Sequence, residues 1–327
     1  LCIAVLPENS TASPKGTFQD WLKGIRSEAL ARGIPEEIIR TLLTNVQPNR
    51  RVIKRDRNQS EFKLTLPNYR DRVITIKNVK AGKEKAQRHS KLLNRVSSKY
   101  GVQWRFIVAI WGIETRYGSV KANVPVIPAV ATLAYDARRE RFFKKQLFAT
   151  LEMVSRGFIG PENLLGSWAG AMGEPQFMPS SYLAFAEDFD GDGRRDIWNN
   201  KGDIFASIAN YLSKHRWSVN QTWGQQVDVP SALIGSLGKF NRRAAPGCRA
   251  KTSNLKPLKE WHRLGVRWLN SSFLPNRNLK AALVLPDGAK GDSFLVYSNY
   301  SALMAYNCAH HYAITVGLLS DKIGIRK

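Results

Sequence analysis

Val102-Gln103-Trp104-Arg105-Phe106-Ile107-Val108-Ala109-Ile110-Trp111-Gly112-Ile113, followed by Glu114-Thr115-Arg116-Tyr117-Gly118, is the stretch on which the reading of the fold turns. Arg105 is the only charge in residues 102–113. A segment apolar on nearly every face is a buried helix, not an amphipathic surface one. Glu114 ends it, and a turn is expected at Gly118. Burial disfavours the carboxylate anion, so the pKa of Glu114 is expected to rise, which suits a general acid. The plainer reading is a helix-end carboxylate paired with Arg116.

Working outward, a helical core spans residues 100–223, rich in aromatics. Upstream, Thr17 to Asp20 makes a capping box for a helix carrying Trp21, Leu22, Ile25, Ala29 and Leu30, which Gly33 ends. Pro35 opens the next helix, with Glu36 and Glu37 near its N-terminus. The basic run 49–57 reads as a solvated surface, and residues 77–99 as a polar, basic helix. Downstream, composition shifts at Gly224. Residues 224–299 hold twelve Lys and Arg against four acids. There, 279–285 and 293–297 flank Pro286-Asp287-Gly288, a hairpin signal within a small inserted β module. Helix resumes from Tyr300 to about Ile323.

The 327 residues allow two or three domains. Fifty Lys and Arg against 26 Asp and Glu give a formal charge of +24. Such a field draws a protein to polyanions: nucleic acid, anionic lipid or cell wall. Without a recognised binding motif, charge alone does not make nucleic acid the partner. No run of 18 apolar residues exists to span a membrane. Residues 1–7 read as the tail of a signal peptide, or else 1–16 as a disordered N-terminus. Cys2 is then a lipidation site or part of the removed leader. Cys248 and Cys308 either form a disulfide, if the protein is exported, or remain two buried thiols. No cysteine has metal-ligand spacing. His310 and His311 read as structural or exposed.

Two further stretches carry chemistry. Residues 166–182 (Gly-Ser-Trp-Ala-Gly-Ala-Met-Gly-Glu-Pro-Gln-Phe-Met-Pro-Ser-Ser-Tyr) combine small residues with Ser167 and Gln176 as hydrogen-bonding groups. Trp168, Phe177 and Tyr182 add apolar faces, a mixture suited to a sugar. Tight helix packing is the alternative. Residues 188–198 (Asp-Phe-Asp-Gly-Asp-Gly-Arg-Arg-Asp-Ile-Trp) fit the first half of an EF-hand loop: acids at positions 1, 3 and 5 and Gly at 6. Position 12 is Asn199, so Asp203 is the candidate for the missing carboxylate. The alternative is an Asp-Gly turn neutralised by Arg194 and Arg195.

Together the three stretches resemble the lytic murein transglycosylases of the B type, the family 3 membrane-bound lytic transglycosylases of Gram-negative bacteria. The resemblance covers roughly residues 17–327. It rests on Glu-Thr-Arg-Tyr-Gly at 114–118, Ala-Gly-Ala-Met-Gly-x-x-Gln-Phe-Met-Pro-Ser-Ser at 169–181, and the Asp-rich loop followed by Ser207-Ile208-Ala209-Asn210-Tyr211. It implies an α+β, mainly α fold: a helical domain (17–99), a lysozyme-like helical core (100–223), a small basic β domain (224–299) and a C-terminal helix returning to the core (300–327). It implies that Glu114 is the single catalytic acid. Tyr117, Tyr135, Ser167, Gln176, Tyr211, Tyr306, Asn307 and Tyr312 would line a glycan groove. Calcium would be structural, its ligand set Asp188, Asp190, Asp192, Arg194 and Asp203. The partner would be peptidoglycan and the location the periplasm, with attachment to the outer membrane if Cys2 is lipidated. Two departures stand out: the calcium loop is one residue longer before Asp203, and Glu174-Pro175 puts a second carboxylate into the sugar-facing stretch. A lysozyme-type hydrolase using Glu114 with Glu174 or Asp136, and a non-catalytic basic binding protein, are the rival functions.

Overall fold

The computed structural model describes residues 16–58, 64–238, 240–275 and 277–324. The expectations for the leader and Cys2 lie outside the described residues. Fifteen α-helices and a small sheet make the described chain mainly α, as the sequence leads one to expect. Two compact units are distinguished. One takes the described residues of Ile3–Gln59 with Trp111–Asn210, the other those of Ser60–Ile110 with Tyr211–Lys327.

In the first unit the chain starts with the helix Phe18–Ala31. Thr17 accepts from the Asp20 amide and Asp20 reaches back to Thr17, closing the capping box. Leu22, Ile25 and Ala29 are buried at helical spacing, but Leu30 of the same expected set is exposed. The run 49–57 forms the helix Arg50–Asp56 and is not wholly solvated. Val52 and Asp56 are buried, and Asp56 is ion-paired with Arg138 and Arg139. A buried carboxylate survives because two guanidiniums match its charge. The helix Val126–Tyr135 is buried from Val126 to Ala134, and the helix Glu140–Ser155 presents Phe143, Leu147 and Leu151 to the core.

In the second unit, residues 77–99 are two helices, Ile76–Arg88 and Ser90–Tyr100, separated at His89. A five-stranded antiparallel sheet runs in the order 256–257, 280–284, 293–296, 224–228, 267–268. The expected hairpin pairs Ala282 with Val296, Leu283 with Leu295 and Val284 with Phe294. Its strands are buried on both faces, which is why they read as continuous apolar runs rather than alternating ones. Val227, Leu258, Trp261, Leu283 and Leu295 form one cluster. The last helical stretch is broken at Asn307 into Ser298–Tyr306 and His310–Gly324. Cys248 and Cys308 form a disulfide with their Cα atoms 5.5 Å apart. His310 is structural: its Nδ1 meets the Tyr300 hydroxyl at 2.8 Å and its Nε2 the Lys251 carbonyl at 3.0 Å. Burial pushes its pKa down to about 4, so the ring is neutral.

Candidate active site

Glu114 stands in the last turn of the helix Trp104–Thr115, in which residues 106–111 are wholly buried. Its side chain is itself 7% exposed. Instead of a single turn at Gly118, three successive residues take left-handed backbone: Arg116 (φ 49), Tyr117 (φ 59) and Gly118 (φ 78). For the two non-glycine residues this costs roughly 1–2 kcal/mol each. Strain of this kind persists only where surrounding contacts over-determine the backbone. Those contacts are present. The Tyr117 ring meets Trp111 edge-on at 5.5 Å, and the Gly118 amide donates to the Thr115 hydroxyl at 3.1 Å. A Cβ on Gly118 would lie 2.6 Å from a Glu174 carboxylate oxygen, so the position has no room for a side chain. Arg116 is exposed while Glu114 is buried.

Glu174 is the residue that stitches this corner to the second motif. Its Oε2 accepts from the Trp111 indole at 2.6 Å, and its Oε1 from Lys201 at 2.9 Å. Its backbone carbonyl accepts from the Thr115 hydroxyl at 3.3 Å, and its amide donates to the Ile197 carbonyl at 2.8 Å. A carboxylate engaged by a cation on one oxygen and an indole on the other is held as a structural anion. The other candidate second acid, Asp136, is ion-paired with Arg57 at 3.1 Å. Glu140 is exposed at the start of its helix. Trp111, three residues before Glu114, and Lys201 were not singled out from sequence. The spacing of Trp111, one helical turn from Glu114, was the available signal.

The stretch 166–182 is a tight chain of turns up to Met178, leading into the helix Pro179–Phe185. Gly166 bridges Met172, and Met172 exchanges backbone hydrogen bonds with Phe177. The small residues do serve packing: a Cβ on Gly170 would lie 2.5 Å from Val130 of the helix Val126–Tyr135. Ser167 Oγ accepts from the amides of Ala169 and Ala171, and Gln176, at φ 55, donates to the Gly173 carbonyl at 2.9 Å. Phe177 and Tyr182 do not offer sugar-facing surfaces. Both are core residues, and Tyr182 donates to the Arg195 carbonyl while packing on Trp198. Burial raises the Tyr182 phenol to about 12, and it raises the Tyr117 phenol as well. Tyr135 donates to the Gly16 carbonyl at 3.1 Å, and its ring packs on Phe18 and Trp21. Its ring contacts are thus with the first helix and its hydrogen bond with the residue leading into it.

The remaining expected groove residues lie in the second unit and cluster there. Tyr211 packs edge-on against Tyr306 at 4.7 Å, Tyr306 stacks on Tyr312 at 6.4 Å, and Tyr211 stacks on His215 at 4.2 Å. The Tyr211 hydroxyl donates to the Ala305 carbonyl at 2.7 Å. Asn307 is buried between the two helices that follow one another there.

In the Asp-rich loop, carboxylate oxygens of Asp188, Asp190 and Asp203 lie within 4.8 Å of one another. The longer loop therefore still brings Asp203 in, from the first turn of the helix Lys201–Lys214. Asp203 is wholly buried and accepts from the amides of Phe189 and Asp196, both at 2.7 Å, strapping the two sides of the loop. Burial raises its pKa, those two amides oppose the rise, and the neighbouring Asp190 and Asp188 charges add to it. Asp192, expected with the ligands, is not in this group; its carboxylate accepts from the Arg194 amide at 2.8 Å. Arg194 is exposed. The three oxygens make a hard, anionic donor set suited to calcium.

Comparison with known proteins bears on all of these groups. Residues 17–321 match the family model of the transglycosylase SLT domain. The chain is 33% identical over 261 residues to membrane-bound lytic murein transglycosylase B of Escherichia coli K12, spanning 79% of this chain and 67% of that protein. Among solved structures, Pseudomonas aeruginosa SltB3 in complex with NAG-anhNAM-pentapeptide superposes with a TM-score of 0.83 at 38% identity, covering 94% of this chain and 79% of that one. The Escherichia coli lytic transglycosylase Slt35 in complex with calcium gives a TM-score of 0.77 at 27% identity, covering 92% of each chain.

Proposed function

The chain belongs to the transglycosylase SLT domain family, and from that premise we propose that Glu114 alone supplies the acid and base steps of a peptidoglycan lytic transglycosylase. The bond cut is the β-1,4 link between N-acetylmuramic acid and N-acetylglucosamine. Glu114 gives its proton to the departing glycosidic oxygen. The substrate's own N-acetyl carbonyl stabilises the oxocarbenium-like carbon, as in substrate-assisted glycosidases. Glu114, now an anion, takes the proton of the O6 hydroxyl, and O6 closes onto C1 to give a 1,6-anhydro end. No water enters, and every proton is accounted for.

The observation that carries the single-carboxylate reading is Glu174. A hydrolase ordinarily needs a second carboxyl group to act on water or on the sugar. Here the candidates are engaged elsewhere, Glu174 by Trp111 and Lys201 and Asp136 by Arg57. Ser167, Gln176 and Tyr117 in one unit, and Tyr211, Tyr306, Asn307 and Tyr312 in the other, are the proposed glycan contacts. Tyr135, packed on the first helix, and Tyr312, 1% exposed, are the weakest members of the set. Digestion of purified cell wall decides the chemistry: 1,6-anhydro ends are expected, and reducing ends would mean a hydrolase.

The work site proposed is the periplasm, against the wall, which the basic surface would help the protein hold. Attachment to the outer membrane through Cys2 is part of the same reading. Calcium is proposed as a structural ion held by Asp188, Asp190 and Asp203, with no part in bond cleavage. At roughly 100 times its dissociation constant a ligand adds about 2.7 kcal/mol of stability. Calcium at about 100 times its dissociation constant should therefore raise the melting temperature by roughly 5 °C over chelator, and Asp188→Ala should lose that response. An identical melting curve with and without calcium would count against the site.

A further inference from the structure

Glu174 meets the helix end that carries Glu114 at three points, and these bracket the acid along the chain. Before it, the Trp111 indole donates to Glu174 Oε2 at 2.6 Å. Directly after it, the Thr115 hydroxyl donates to the Glu174 backbone carbonyl at 3.3 Å. Beyond the left-handed turn, Gly118 lies so close to the carboxylate that a Cβ there would come 2.6 Å from Oε1 and 2.8 Å from Oε2. The turn is also packed onto its own helix. The Tyr117 ring lies against Gly112, where a Cβ would meet it at 2.5 Å.

This grip depends on charge. The Glu174 side chain is 13% exposed, and Lys201 matches it at 2.9 Å. The Lys201 ammonium also stands 5.8 Å from the centre of the Trp111 ring, so one cation attends both partners of the indole bond. A carboxylate accepts from the indole and the ammonium together, and bonds to a charged acceptor are the stronger kind. A neutral amide in its place would turn its NH2 group toward one of those donors. Glu174 is itself fixed from the far side. Its amide is bonded to the Ile197 carbonyl, and Lys201 opens the helix whose Phe205 packs edge-on against Trp111 at 5.1 Å. A largely buried ion pair adds little net stability, so holding geometry is the better account of it. Reacting groups work only when held to within roughly 0.5 Å by neighbours that are themselves locked. The strained backbone at Arg116 and Tyr117 would relax without such a hold.

We infer that Glu174 is a positioning residue: through the Trp111 indole it fixes the helix end that aims the Glu114 carboxyl at the bond to be cut. This rests on the reading of Glu114 as the acid and base. The proton stays with Glu114 throughout, and Glu174 acts only on Trp111, Thr115 and Gly118.

The test uses the full chain and soluble glycan oligomers, well below the lowest melting temperature of the variants. Glu174→Gln should lower kcat by about thirtyfold, since misplacing a reacting group by about an ångström costs up to roughly a hundredfold. KM should stay within about twofold, because contacts made equally to substrate and transition state are untouched. Trp111→Phe keeps an aromatic ring and removes only the donor, and kcat should fall by a similar factor. The double variant Trp111→Phe/Glu174→Gln should fall no further than the worse single one, the mark of two residues acting through one bond. An unchanged kcat in Glu174→Gln, a raised KM with kcat intact, or losses that multiply in the double variant would each overturn the inference. Should Glu174→Gln not fold, Trp111→Phe decides alone, and an unchanged kcat in that variant overturns it. Glu114→Gln, measured beside them, keeps the two readings apart. If it is inactive while Glu174→Gln is fully active, only the positioning role falls. If Glu114→Gln still cleaves, the acid–base assignment falls and the positioning role with it.

Discussion

Glu114→Gln should abolish release of muropeptides from cell wall while leaving the melting temperature and wall binding near wild type. Glutamine keeps the shape of the side chain in its buried position but can neither give nor take back the proton. General acid–base groups are worth roughly a hundredfold or more, and here one group serves both steps. Activity above about a hundredth of wild type would show that another residue carries the chemistry. Measuring melting alongside separates loss of the proton donor from loss of the helix end, which Trp111, Thr115 and Glu174 hold independently of Glu114.

Removing the Cys248–Cys308 bond should have the largest effect on stability. The bond closes a loop of 60 residues in sequence, and the chain-entropy account of cross-linking assigns a loop of that length about 4 kcal/mol. The double substitution Cys248→Ser/Cys308→Ser should lower the melting temperature by roughly 8 °C. A thiol reductant should lower wild type by a similar amount and leave the double variant unmoved. If reductant shifts both equally, the bond is not what it acts on.

The rival hydrolase was a fair reading of sequence, and the partners of its candidate second carboxylates weigh against it. Glu174 falls in a stretch rich in sugar-compatible residues, and nothing in its neighbours along the chain reveals its partners. Those partners are Trp111, 63 residues away, and Lys201, 27 away. The cost of leaving a half-buried carboxylate unmatched explains why both oxygens are engaged. The same holds for the turn after Glu114. The sequence marks Gly118 as a turn, but left-handed backbone at Arg116 and Tyr117 has no local signature, because it is imposed by the packing of Tyr117 on Trp111 and of Gly118 on Glu174.

What the sequence determined by itself is whatever periodicity, spacing and turn chemistry encode over short distances. The buried helix Trp104–Thr115 follows from a run with one charge; the hairpin 280–296 follows from two apolar runs around a Pro-Asp-Gly turn; the capping box at Thr17 and the alternating acids at Asp188 and Asp190 follow from local register. The helix broken at His89 and the core burial of Phe177 and Tyr182 already escaped that reading, since both depend on what packs against them. Only the tertiary structure decided that Asp203 joins Asp188 and Asp190, that Cys248 pairs with Cys308, that Glu174 engages Trp111 and Lys201, and that five cations from three separate segments (Lys214, Arg216, Arg242, Arg243 and Lys280) surround one cavity. The physical reason is common to all four. Charge pairing, cross-linking and field focusing act through space over a few ångströms, and which distant residues come that close is settled by the packing of whole helices and strands, not by their order along the chain.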